Sequence, residues 1–329
     1  MQIEEFTAAD AAVIEQVVSL VRAVEKADSP WSHPTTTTTL TGMMRHGWDG
    51  ETPRCFVARD DDGQVVGMAE FWIGEWDNTD LAWLSVLVHP DRRRRGVGSA
   101  LTERMLELAR ETGRTKVGID GWDSAAATGF ATAHGFEKKS QDINRRQFLA
   151  EIDPASLSGL YDDAAVAAAS YELVRIVGRT PQEMMDQVAE MTVAINDAPL
   201  DDLDMEDEVF PPQRIRDYEE ATLARKQRLY RLLARHRETG ELAGHTVVAV
   251  EEERPAYGHQ HDTSVVRSHR GHRLGLLLKA GMVRWLADVE PQLESIDTWN
   301  AESNDHMIAV NEDLGYRVLG RGLSFQRTV

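Results

Sequence analysis

One pattern occurs twice in this chain and restricts its fold more than any other feature. The apolar run 81–88 leads through His89 to Pro90. Arginines occupy positions 92–95, and Gly96-Val97-Gly98 then opens a helix-like segment through Arg110. The second occurrence runs from Val265 through Arg270, Gly271, His272, Arg273, Leu274 and Gly275 into a helical run over 276–287. Val265, Arg270 and Gly275 stand at one constant offset from Val88, Arg93 and Gly98. Each occurrence is followed, at nearly the same distance, by a second matched segment: 124–136, closing on Gly135-Phe136, and 304–316, closing on Gly315-Tyr316. Two matched segments at a matched separation point to one fold used twice.

The local chemistry of the pattern is that of an anion cradle. Proline ends the strand because it cannot donate to a ladder. Glycines let the backbone approach a ligand, and the first N–H groups of the helix have no partner within it. Arginines beside such a turn suit phosphate oxygens. The stretch lacks the G-x-x-x-x-G-K-[ST] of nucleoside triphosphate loops, and Leu101 stands where the dinucleotide fingerprint needs its third glycine.

Arg93-Arg94-Arg95-Gly96-Val97-Gly98 meets at every position the Q/R-x-x-G-x-G/A core of the GCN5-related N-acetyltransferases, with Val88 and Pro90 as the usual lead-in. The chain resembles a tandem member of that family, in a layout similar to two-domain acetyltransferases of the mycothiol synthase type. The resemblance implies an α/β fold: two units, each a mixed, mostly antiparallel sheet flanked by helices. It implies acetyl-coenzyme A as acyl donor, held by Arg93, Arg94, Arg95, Gly96, Val97, Gly98 and Ser99 in the first copy. In the second copy it implies Arg270, Gly271, His272, Arg273, Leu274, Gly275 and Asn304. Backbone N–H groups of Leu87 and Val88, and of Val265 and Val266, are expected to polarise the thioester carbonyl where strands splay.

The departures from the family pattern are specific. Arg273 replaces the first glycine of the second loop. Ala131 and Asn311 stand where the family carries the tyrosine that protonates the departing thiolate. Asp262 and Glu70 are the candidate bases, and Asn311 joins them as a candidate catalytic residue. The expected reaction is acetyl transfer to the amine of a small molecule. The alternative is a non-catalytic acyl-coenzyme A binding protein with degenerate sites.

Composition bounds the rest. The 329 residues suit two domains, expected at 1–153 and 171–329 with a linking helix over 154–170. A net charge of −19 argues against nucleic acid as a partner, so the basic loops must be local islands. The single cysteine, Cys55, and the lack of a signal peptide or a long apolar run fit a cytoplasmic protein without a membrane span. No metal is expected, because His259-x-His261 and His269-x-x-His272 lack a compact third ligand. The spacing of Val13, Val17, Leu20, Val21 and Val24 predicts a helix, residues 55–73 a hairpin, 29–39 a loop, and 214–238 one long helix. Oligomeric state is not legible in these residues.

Overall fold

The computed structural model describes residues 1–329. In chain order the first half forms β1 (Gln2–Phe6), α1 (Ala11–Asp28), α2 (Thr37–His46), β2 (Arg54–Arg59), β3 (Val65–Ile73), β4 (Leu81–Val88), α3 (Val97–Glu111), β5 (Lys116–Trp122), α4 (Ala125–Ala133) and β6 (Glu137–Phe148). The second half forms α5 (Pro154–Ala167), β7 (Tyr171–Val177), α6 (Met185–Thr192), α7 (Pro212–Ala224), β8 (Gln227–His236), β9 (Leu242–Glu251), β10 (Tyr257–Val265), α8 (Leu274–Val289), β11 (Ser295–Ala301), α9 (Asp305–Asp313) and β12 (Tyr316–Thr328).

The chain packs into two compact units, both discontinuous in sequence. Unit 1 takes 1–142, 200–207 and 320–329; unit 2 takes 143–199 and 208–319. The helix expected as a linker is α5. It is capped by Asp153, whose carboxylate accepts from the N–H groups of Ala155 and Ser156, and it packs Leu157, Leu160 and Ala164 into the core of unit 2.

In unit 1, β1 to β4 form an antiparallel meander, β4 and β5 are parallel, and residues 322–328 of β12 lie antiparallel to β5. Alternation along the strands sorts the two faces. Phe56, Ala69, Phe71, Ala82, Leu84, Val117 and Ile119 meet Leu101, Met105 and Leu108 of α3. Cys55, Val57 and Met68 meet Val17, Leu20 and Val24 of α1 and Leu40 of α2. Cys55 is buried, and desolvation pushes its thiol far above the usual range, which suits a packing role. Unit 2 repeats the plan. Strands β7 to β10 are antiparallel, β10 and β11 are parallel, and β6 lies beside β11. Helices α5, α8 and α9 cover one face, while α6 and α7 cover the other.

Two sequence expectations are corrected. The threonine run belongs to a helix, because Thr36 caps α2 by accepting from the Thr39 N–H at 3.1 Å and Leu40 is buried. The expected helix over 214–238 ends at Ala224. Lys226 adopts φ 64°, and β8 follows, paired on both sides with β7 and β9.

Candidate active site

Each unit holds a forked sheet. In unit 1, β4 pairs with β5 only from Leu81 opposite Lys116 to Leu84 opposite Ile119; beyond that the two strands part. The amide of His89 donates to Val66, so the hydrogen-bonded pairs between β3 and β4 fall at Leu87 and Ser85. The N–H groups of Val86 and Val88 therefore face the fork, whereas that of Leu87 is used by β3. In unit 2, β10 pairs with β11 from Tyr257 opposite Ser295 to His259 opposite Asp297, then separates. The Val266 N–H donates to Ala243, which turns the N–H groups of Thr263 and Val265 into the fork. Of the expected amides, those of Val88 and Val265 face the forks, whereas those of Leu87 and Val266 are used by β3 and β9.

The basic loops follow the forked strands. Both loops use two left-handed residues, but the glycines are exchanged between them. Arg94 (φ 61°) and Gly96 (φ 82°) occupy these positions in unit 1, and Gly271 (φ 88°) and Arg273 (φ 54°) in unit 2. Arg273 thus keeps the backbone path of Gly96, accepting the cost of a left-handed residue with a side chain. Val97 and Leu274 anchor the helix starts in the two cores. Gly98 sits where a Cβ would lie 3.1 Å from the Phe130 ring, and the Ser99 hydroxyl bonds the His134 ring at 3.0 Å. Gly275 is buried with open space around a notional Cβ.

The first arginine of each loop is a clamp. Arg93 Nε donates to the Val88 carbonyl at 3.2 Å, and its other nitrogens grip Asp28 at 2.8 and 2.6 Å. Arg270 repeats this with Val265 at 3.0 Å and Asp197 at 2.6 Å. Their guanidiniums tie loop to strand; Arg94 and Arg95, and in unit 2 His272 and Arg273, are exposed basic side chains outside these clamps. The Tyr171 hydroxyl bonds His269 Nδ1 at 3.0 Å, and the His272 ring lies 5.5 Å from the Tyr171 ring.

The candidate bases lie on the sheet faces covered by α1 and by α7. Glu70 sits on β3 opposite Ser85 and accepts from Trp72 Nε1 at 3.1 Å; burial pushes its carboxyl up. Asp262 sits at an irregularity in β10, where the pairing register slips between Gln260 and Thr263. Such a bulge re-aims side chains and is frequent beside active sites; β3 and β4 pair without one. Burial pushes the Asp262 carboxyl up, while Arg231 and Arg214 pull it down. Beside it, the Tyr218 hydroxyl shares a 2.5 Å hydrogen bond with His261 Nδ1, and burial drives the His261 ring well below its ordinary range.

On the opposite face of unit 2, Asn311 is fully buried. Its Oδ1 accepts from Lys279 Nζ at 2.7 Å, and its Nδ2 donates to Asn300 Oδ1 at 2.6 Å. Strand register and loop offset put Thr102, Ala131 and Gly121 at the corresponding places in unit 1. Asn304 caps α9 by accepting from the Met307 N–H at 3.2 Å. Tyr218, Lys279 and Asn300 are not singled out in the sequence, and His261 is weighed there only as a metal ligand. Tyr218 was hidden inside a supposed 25-residue helix, and a lysine in an apolar helix face was the one available signal for Lys279.

The sequence profile of the acetyltransferase (GNAT) family matches residues 19–136 and 196–316. The chain belongs to the GNAT acetyltransferase family. A tandem GNAT protein from the clavulanic acid biosynthesis pathway superposes with TM-score 0.82 at 29% identity, over 99% of this chain and 98% of that one. A GCN5-related N-acetyltransferase from Sphaerobacter thermophilus, at 15% identity, matches in fold with TM-score 0.70 over 99% and 95% of the two chains. Mycothiol acetyltransferase of Geodermatophilus obscurus is 33% identical over 147 residues, 44% of either chain. That of Stackebrandtia nassauensis is 27% identical over 156 residues, 46% of this chain and 49% of its own. The matched stretch thus spans about half the length of these two GNAT relatives. No helix of this GNAT protein is long and apolar enough to cross a membrane.

Proposed function

We propose that the protein transfers the acetyl group of acetyl-coenzyme A to the amine of a small molecule, and that unit 2 carries the reaction. The observation behind this reading is the fork in unit 2. The free N–H groups of Thr263 and Val265 lie on the same strand that runs into the basic start of α8. A donor with its pyrophosphate on the N–H groups of 271–275 can lay its amide-bearing arm along that strand edge. Its thioester then reaches the fork, where the two amides oppose negative charge developing on the carbonyl oxygen.

The acceptor must attack as the neutral amine. Asp262, made more basic by its buried surroundings, is the group assigned to take the proton, and the net charge of −19 favours approach of a cation. Mycothiol acetyltransferase relatives and a tandem GNAT neighbour support a small-molecule acceptor. Unit 1 is read as a second coenzyme site that binds without reacting, since buried Ala131 offers no polar atom beside its fork.

The test is thiol release from acetyl-coenzyme A across a panel of amines, with Arg273→Glu as control. Arg273 is exposed, and reversing its charge at the loop raises KM for the donor on the order of tenfold to a hundredfold. Tight donor binding without turnover on any amine would leave the binding-protein alternative.

A further inference from the structure

Lys279 is a buried amine without a counter-ion. It projects from α8 into the core with 2% of its surface exposed, and its ammonium lies 4.7 Å from the centre of the Tyr316 ring. Its hydrogen-bond partner is Asn311 Oδ1. The acidic groups on neighbouring elements are engaged elsewhere or exposed. Asp297 of β11 is gripped by Arg146 at 2.5 and 2.8 Å; Glu290 after α8 is held by Arg228 and Tyr230. Asp162 of α5 lies beside Arg284, and Glu312 and Asp313 of α9 are exposed. Desolvation alone pulls the amine from 10.5 to about 7.

The Lys279 amine donates to Asn311 Oδ1, and this sets every amide in the chain that follows. Asn311 must turn its oxygen to Lys279 and its nitrogen to Asn300. Asn300 must accept with its oxygen, so its own Nδ2 points onward. Asn300 stands on β11 beyond Asp297, the last residue paired with β10, and is half-exposed at the fork. The corresponding unit 1 residues are Thr102, Ala131 and Gly121, so the relay exists in one copy alone. A donor held in place in the ground state becomes useful when a negative charge forms nearby.

We propose that Lys279 is a positioning residue for the departing thiolate. Through Asn311 and Asn300 it orients an N–H donor toward the coenzyme sulfur in unit 2. The inference rests on the acetyl-transfer reading above. As the amine nitrogen bonds to the acetyl carbon, the C–S bond breaks and its electron pair goes to sulfur. The amine's proton leaves on the Asp262 side of the sheet. A hydrogen bond donated to the thiolate but not to the thiol lowers the thiol pKa by about one unit.

The experiment needs no turnover. Coenzyme A is bound to the full-length wild type, Lys279→Met and Asn300→Ala, and the ultraviolet thiolate band is followed against pH. The first copy contributes equally to all three proteins, so the difference reports on the second. In the wild type the bound thiol is expected to ionise about one unit below its value in either variant. With an accepted amine, kcat falls about tenfold in both variants while KM for the donor holds. Asn300→Ala alters a half-exposed strand end, so it keeps the comparison valid if Lys279→Met disturbs packing. Equal ionisation in all three proteins overturns the assignment. A wild type that binds no coenzyme A overturns the acetyl-transfer reading together with it.

Discussion

Gly96 and Arg273 hold one backbone conformation with very different side chains. A Cβ at Gly96 would meet nothing within 4 Å, so space does not require glycine there; the φ of 82° does. Gly96→Ala is accordingly expected to cost about 1 kcal/mol, measured by chemical denaturation, with no loss of packing. An unchanged midpoint would mean that the loop takes another path. Lys279 makes a second prediction. Between about 7 and 10.5 the unfolded chain carries a proton on this amine that the folded chain has released. Stability therefore rises with pH across that window, and the contribution is lost as pH falls through about 7. Lys279→Met should flatten the rise; parallel curves for the two proteins would show that the amine titrates normally.

Among the elements, the loops themselves carry most of the recognisable signal, and their clamps do not. Arg93 looked like a phosphate ligand, yet it spends its guanidinium on Val88 and Asp28. The Arg93 and Asp28 side chains are 37% and 33% exposed, so Arg93→Leu should cost less than about 1 kcal/mol of stability. Coenzyme affinity in unit 1 should fall on the order of tenfold as the loop loses its tie to β4, which calorimetry can separate from folding. The same logic explains what the sequence concealed. The run Gln227–His236 carries its charges at helical spacing, but each finds a partner once the strand is in place: Arg228 with Glu290, Arg231 with His245 and Glu219, Arg235 with Glu172. Pairing with β7 and β9 overrides local propensity. The repeat, the meander and both basic loops are readable because glycine, proline and apolar runs act locally. The fork amides, the bulge at Asp262 and the Lys279 relay depend on contacts between residues far apart in sequence, and periodicity carries no trace of them.

At the scale of the molecule, sequence order and packing order differ. Residues 320–329 complete the sheet of unit 1, where Leu323 and Phe325 are buried against the core beneath α3. Each such side chain contributes about 1.5–3 kcal/mol, and the lost strand would also strip β5 of its antiparallel neighbour. A chain ending at residue 319 is therefore expected to lose unit 1, far from the cut in sequence, with limited proteolysis attacking 1–142 first. Cleavage confined to unit 2 would contradict this.

The returning strand also sets a timetable for synthesis. A ribosome that has released residues 1–142 has made most of unit 1 but not the strand that covers β5. The usual sequence, in which the leading domain folds before the next is made, is closed to this chain. Its first half must wait, incompletely covered, until Phe325 clears the exit tunnel.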